Sequence, residues 1–329
     1  MKKILLSSLL TLVGAVASAN TLTIYTDRPT ARLQPIADEF TKSTGAAVTI
    51  VELPYKDLLA KLEAEGAASP ADLIYTKDLV YQAELAKKGF YQAMNSKSVQ
   101  TTVAAAMRDP GNLWTAVSYR ARTLVYDAGR VDVSKINTYE DLANEEWAGR
   151  LCLRTSNNSY NEALVASFIH NMGYDKAKAV VAGMVDNLAG DVAKGDTGLL
   201  ETIANGGCEI GLANHYYLAA LVAKNPNFPV KVKFLDQNGR GTHVNGSGIG
   251  IAKTSQNPAL AQQFIELLLT DSVQDYVSAS HFEYPAAQHM LPSTLIKDWG
   301  TFKADSANWS AIGEEVESAK KLVKEVGYL

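Results

Sequence analysis

Thr21-Leu-Thr-Ile-Tyr25 alternates polar and apolar β-formers and runs into the turn-like Thr26-Asp-Arg-Pro29. The period then changes: within Ala31 to Lys42, Leu33, Ile36, Ala37 and Phe40 share one helical face. Ala47-Val-Thr-Ile-Val51 is a second β-branched run, Lys56 to Glu65 a second helix, and Ala71-Asp-Leu-Ile-Tyr75 a third strand. Strand, helix, strand, helix, strand with short links is how a chain builds parallel strands covered by helices. The fold class read from this stretch is α/β.

The pattern recurs downstream. Arg150 to Arg154 reads as a strand, Asn161 to Met172 as a helix with Leu164, Phe168 and Ile169 inward, and Gly198 to Ala204 as a short helix. Glu209 to Ala213 is another strand and Tyr216 to Lys224 another helix. Two α/β units follow, near residues 20–118 and 120–240. Two long extended stretches separate them: Trp114 to Tyr126, and the glycine-rich Thr242 to Ile251, which leads into the helix Ala259 to Leu269. If both cross between the units, the chain leaves one lobe and returns to it. That hinge suits closure around a ligand. The expected division is 20–119 plus 244–295 for lobe 1 and 120–243 plus 296–329 for lobe 2. The tail from Trp309 to Leu329 reads as one amphipathic helix packed on the second lobe.

The 329 residues are 47% hydrophobic and 20% charged, enough apolar material for two cores. Residues 1–19 form a separate object: Lys2 and Lys3, the apolar Ile4 to Val16, then Ala17-Ser18-Ala19. That is a cleavable signal peptide, too short in its apolar part to remain as an anchor. The expected location is the periplasm. Without Lys2 and Lys3 the chain holds 29 basic against 35 acidic residues, a net charge of −6. Scattered, mildly acidic charge argues against a nucleic-acid partner.

In an oxidising compartment Cys152 and Cys208 most simply form one disulfide, the other reading being two buried free thiols. Enzyme signatures are missing: there is no phosphate-binding loop and no HExxH. Gly246, Gly248 and Gly250 alternate without completing GxGxxG, and read as a hinge strand approached closely by other backbone. The five histidines have no metal-ligand spacing, and only His215 neighbours a suggestive group. That group is Tyr216-Tyr217, placed after a strand and at a helix start, where α/β sheets bind ligands. Among fifteen tyrosines a pair alone is weak evidence.

The segment Asn205-Gly-Gly-Cys-Glu-Ile-Gly-Leu-Ala-Asn-His-Tyr-Tyr217 resembles the strand-to-tyrosine-pair motif of bacterial periplasmic ferric-ion-binding proteins. Leu151-Cys-Leu-Arg-Thr-Ser-Asn-Asn-Ser-Tyr-Asn161 is similar to that family's third-tyrosine loop, and Arg120-Ala-Arg122 to its RxR segment. Leu22 to Arg28 and Pro70 to Leu73 resemble its opening strand and "PADL" strand, so the likeness spans the mature chain. The resemblance implies a two-lobed, type II-like periplasmic binding fold with two extended hinge strands. It implies Fe(III) bound by Tyr160, Tyr216 and Tyr217, with a carbonate or bicarbonate held by Arg120, Arg122, Thr155, Ser156 and Asn158. It also implies a monomer that delivers iron to an inner-membrane ABC permease.

One departure narrows the ligand set. Many members carry His-Tyr after the opening arginine, where this chain has Pro29-Thr30. All three expected ligands therefore come from the second lobe, with Tyr25 and Arg28 as lesser candidates. The chemistry agrees, because a small tripositive ion favours hard anionic oxygens. Cys152 and Cys208 each stand eight residues before a tyrosine of the set, so a bridge would clamp the two ligand loops. The competing readings are a binding protein of the same fold for a polyamine, phosphonate or oxyanion, and an exported enzyme with a Tyr- or Arg-based site.

Overall fold

A computed structural model describes residues 20–328. The expected signal peptide, residues 1–19, and Leu329 lie outside the described residues. Among those described, ten strands form: β1 (Thr21–Thr26), β2 (Ala47–Glu52), β3 (Leu73–Thr76), β4 (Tyr91–Gln92), β5 (Thr115–Asp127), β6 (Leu151–Cys152), β7 (Ile210–Asn214), β8 (Val230–Lys233), β9 (Val244–Ala252) and β10 (Tyr284–Pro285). The alternation in the opening strand buries Leu22 and Ile24 completely. The helix Thr30–Thr44 buries Leu33, Ile36, Ala37 and Phe40, the face its period marks. Phe40 then meets Phe264 edge-on at 5.1 Å between ring centres.

β1 pairs in parallel with β2 and β3, as the opening pattern requires. The whole sheet is mixed, because the returning strands run against their neighbours: β9 is antiparallel to β3, and β5 to β9 and β7. The path is β2-β1-β3-β9-β5-β7-β6. β5 is the strand the two halves share. Its residues from Thr115 to Ala121 pair with β9, and those from Arg122 to Tyr126 with β7. The glycine run on β9 is a packing necessity. A Cβ on Gly246 would lie 2.7 Å from the Ser118 carbonyl oxygen, and one on Gly250 2.6 Å from that of Leu113.

Two sequence expectations change. The strand expected over Arg150–Arg154 forms only at Leu151–Cys152. The tail is two helices, Trp309–Gly313 and Val316–Glu325. The first lies against the helix Leu79–Lys87 of the first half, where a Cβ on Gly313 would come 2.6 Å from that of Ala83, and Lys87 pairs with Glu314 at 2.5 Å. The tail therefore touches both halves instead of the second alone. Gly313, where the first helix ends, has no Cβ to clash at that contact. Among the described residues no helix is long and apolar enough to cross a membrane.

β6 and β7 are parallel neighbours, and each leads at its carboxyl end into a tyrosine-bearing helix. The helix Ser159–Met172 is capped by Asn158, whose side-chain oxygen accepts from the backbone N–H groups of Tyr160 and Asn161. The helix His215–Lys224 opens directly from β7. Cys152 and Cys208 form a disulfide with their Cα atoms 6.0 Å apart, tying the end of β6 to the residues that enter β7.

Candidate functional site

Each ligand candidate stands in the first turn of its helix, so its side chain leaves the sheet end toward the cleft. Tyr216 donates its phenol hydrogen to the Tyr160 oxygen across 3.2 Å. The Tyr216 and Tyr217 rings stack with centres 4.3 Å apart. All three rings line a cavity of about 190 Å³. Burial pushes the Tyr216 phenol well above its usual range, and the neighbouring Tyr160 and Tyr217 add to the rise. Burial also raises Tyr217. Burial therefore keeps Tyr216 and Tyr217 as neutral phenols.

The opposite wall is cationic. Arg28, Pro29, Arg32 and Lys77 line it, together with Glu283, and Arg120 completes the lining. Arg28 pairs with Glu283 at 3.0 Å and bonds to Ser247, and Arg32 reaches the same carboxylate at 3.3 Å. Burial would raise Glu283, but Arg28 and a hydrogen bond from Ser118 hold it well below the usual carboxylate range. Arg120 pairs with the buried Asp78 at 3.0 Å and donates to the Lys77 carbonyl. Its Nε–H is buried without a hydrogen-bond partner. An unmet guanidinium donor at a cleft lined by oxygens is a place for an anion.

Several expected participants lie elsewhere. Arg122 is fully buried against Asp196 at 3.1 Å and the Asn214 side-chain oxygen at 3.2 Å, outside the cavity lining. Thr155, Ser156 and Asn158 are also outside that lining. Thr155 bonds through its backbone to Ala193, Ser156 donates to the Tyr328 carbonyl at 2.8 Å, and Asn158 is the helix cap. Tyr25 donates to Glu65 at 3.0 Å, away from the cleft. His215 has both nitrogens engaged: Nδ1 accepts from the Ala121 N–H at 3.2 Å, and Nε2 is 2.7 Å from the Phe282 carbonyl. Nε2 must therefore carry the hydrogen, and burial pushes the ring down to about 4. His215 braces the hinge.

The Bacterial extracellular solute-binding protein family matches residues 68–303, most of the chain. The chain belongs to this family. Iron uptake protein A1 of Synechocystis is 34% identical over 88% of this chain and 82% of its own length. A solved Trichodesmium protein in complex with iron and citrate ligands superposes with a TM-score of 0.89, at 36% identity, over 94% of this chain and all of that one. The ferric binding protein from Campylobacter jejuni gives 0.87 at 33% identity, over 94% of this chain and all of that one. This solute-binding protein is accordingly a two-lobed α/β carrier and not an enzyme.

Sequence reasoning missed Glu283, Arg32 and Lys77 in the binding protein's cleft, and the buried Asp78 that holds Arg120. Glu283 stands 255 positions from the Arg28 it holds, so no local spacing could reveal the pair. Among the described residues no group of three or more His, Cys, Asp or Glu side chains could hold a metal. The side-chain oxygens lining the cavity are those of the three tyrosines and of Glu283, the latter held by Arg28 and Arg32.

Proposed function

We propose that the protein captures Fe(III) in the periplasm through Tyr160, Tyr216 and Tyr217, with an anion at Arg120, and passes it as a monomer to an inner-membrane ABC permease. The carrying observation is the convergence of three phenols on one small cavity, two of their oxygens 3.2 Å apart. Such close approach suits a shared cation, because a tripositive charge favours the deprotonated form of each phenol. Three phenolates balance Fe(III), and an added anion leaves negative charge for Arg120 and the cationic wall to offset. The names of the Synechocystis, Trichodesmium and Campylobacter relatives point the same way. Residues 1–19 supply the export signal in this reading.

The cationic wall also suits a bare oxyanion, and a Salmonella relative named for 2-aminoethylphosphonate is 24% identical over 78% of this chain. Metal-free protein should decide between the two in a thermal-shift assay. Ferric iron with bicarbonate should raise the melting temperature, and 2-aminoethylphosphonate alone should not. Stabilisation by the phosphonate with none by iron would reverse the assignment.

A further inference from the structure

Arg154 is outside the cavity lining, yet its guanidinium carbon sits 5.4 Å from the centre of the Tyr160 ring. Arg120 approaches the same ring at 4.9 Å. Among the described residues, no guanidinium lies over Tyr216 or Tyr217. Arg154 is held by Asp196: Nη1 is 3.5 Å from Oδ1, with the arginine side chain 12% exposed and the aspartate fully buried. The other oxygen of Asp196 accepts from the Asn214 N–H at 2.9 Å and from Arg122 at 3.1 Å. Asn214 is the residue from which the tyrosine-pair helix starts. One carboxylate thus joins the neighbour of Tyr160, the root of Tyr216-Tyr217 and the hinge strand.

We propose that Arg154, oriented by Asp196, is a positioning residue that makes Tyr160 electronically distinct from the other two tyrosines. The proposal rests on the reading of Tyr160 as a ligand. A cation over an aromatic face attracts the ring electrons. Light absorption by a phenolate–Fe(III) unit moves an electron from ring to metal, away from that cation. Arg154 therefore raises the energy of the Tyr160 transition, and Asp196 moderates the effect by screening it.

The test loads the full mature chain with ferric iron and bicarbonate at fixed pH, and records the visible band and the affinity against a competing chelator. Arg154→Met should move the band to longer wavelength and weaken binding about tenfold, the effect of one nearby charge. Arg154→Lys should stay near the parent. Asp196→Asn, which keeps an acceptor for the Asn214 N–H, should move the band to shorter wavelength. A purely structural role cannot give shifts of opposite sign. If Asp196→Asn does not fold, Arg154→Met and Arg154→Lys decide alone. An unshifted band in Arg154→Met, beside a changed band in Tyr160→Phe, overturns the proposal. An unchanged band in Tyr160→Phe overturns the ligand reading itself.

Discussion

Tyr216 and Tyr160, 56 positions apart in the chain, share a hydrogen bond of 3.2 Å across the mouth of two parallel strands. The bond can form because Asn158 caps one helix and β7 opens directly into the other, so both first turns face the same cleft. The two phenols satisfy one another. In the proposed role, a cation that replaces the shared hydrogen would find its oxygens already gathered.

Removing either oxygen of the pair should therefore cost binding far more than folding. Tyr216→Phe and Tyr160→Phe should each weaken the visible band and the iron affinity, while the unfolding free energy falls by no more than about 1 kcal/mol, the worth of one hydrogen bond. Absorbance and denaturation on the same samples check both halves.

Arg120 offers the reverse case. Its pair with Asp78 is buried on both sides, and cutting one partner strands the other charge. Arg120→Leu should lose about 3–5 kcal/mol of stability along with iron affinity. Arg120→Leu combined with Asp78→Leu should regain much of the stability and none of the affinity. Recovery of binding in the double variant would show that Arg120 is structural only.

The Cys152–Cys208 bridge closes a separation of 56 residues, for which chain entropy alone gives about 4 kcal/mol. Cys152→Ser with Cys208→Ser should lower the urea midpoint accordingly and weaken iron binding, since β6 and β7 carry the two ligand loops. Unchanged affinity in a folded double variant would separate the bridge from the site.

Acid acts on the fold and the site separately. Burial pushes His215 and His281 down to about 4, and His243 well below its usual value. A histidine depressed in the folded state contributes stability above about pH 6.5, and loses it as pH falls toward the folded value. For His215 that amounts to about 3 kcal/mol. Metal-free protein should thus weaken between pH 6.5 and 4, with one proton fewer taken up in His215→Gln. Iron affinity should fall with acid for a different reason, because Tyr216 and Tyr217 lie above their usual range and must give up protons to bind. With Tyr160 also binding as a phenolate, three protons are released, and the affinity drops up to about a thousandfold per pH unit.

The architecture was legible because its signals are periodic and local: the switch from alternation at Thr21–Tyr25 to helical spacing at Leu33–Phe40, and the glycines of β9. The grouping of Tyr160, Tyr216 and Tyr217 around one cavity was legible through the short motifs that resemble a known family's. The cleft's other wall was not. Glu283, Arg28 and Arg32 meet only through long-range packing, and the buried role of Arg122 depends on Asp196, 74 positions away. Arg120 and Arg122 are alternate residues of one strand, so sequence could not say that one lines the cavity while the other is spent inside the core.

The most direct measurement is an aerobic titration of the metal-free mature chain with ferric iron and bicarbonate, followed by visible absorbance. A red or orange band that grows to saturation at one equivalent is the predicted result. A titration that leaves the protein colourless, with the iron precipitating as it would in buffer alone, would contradict the account.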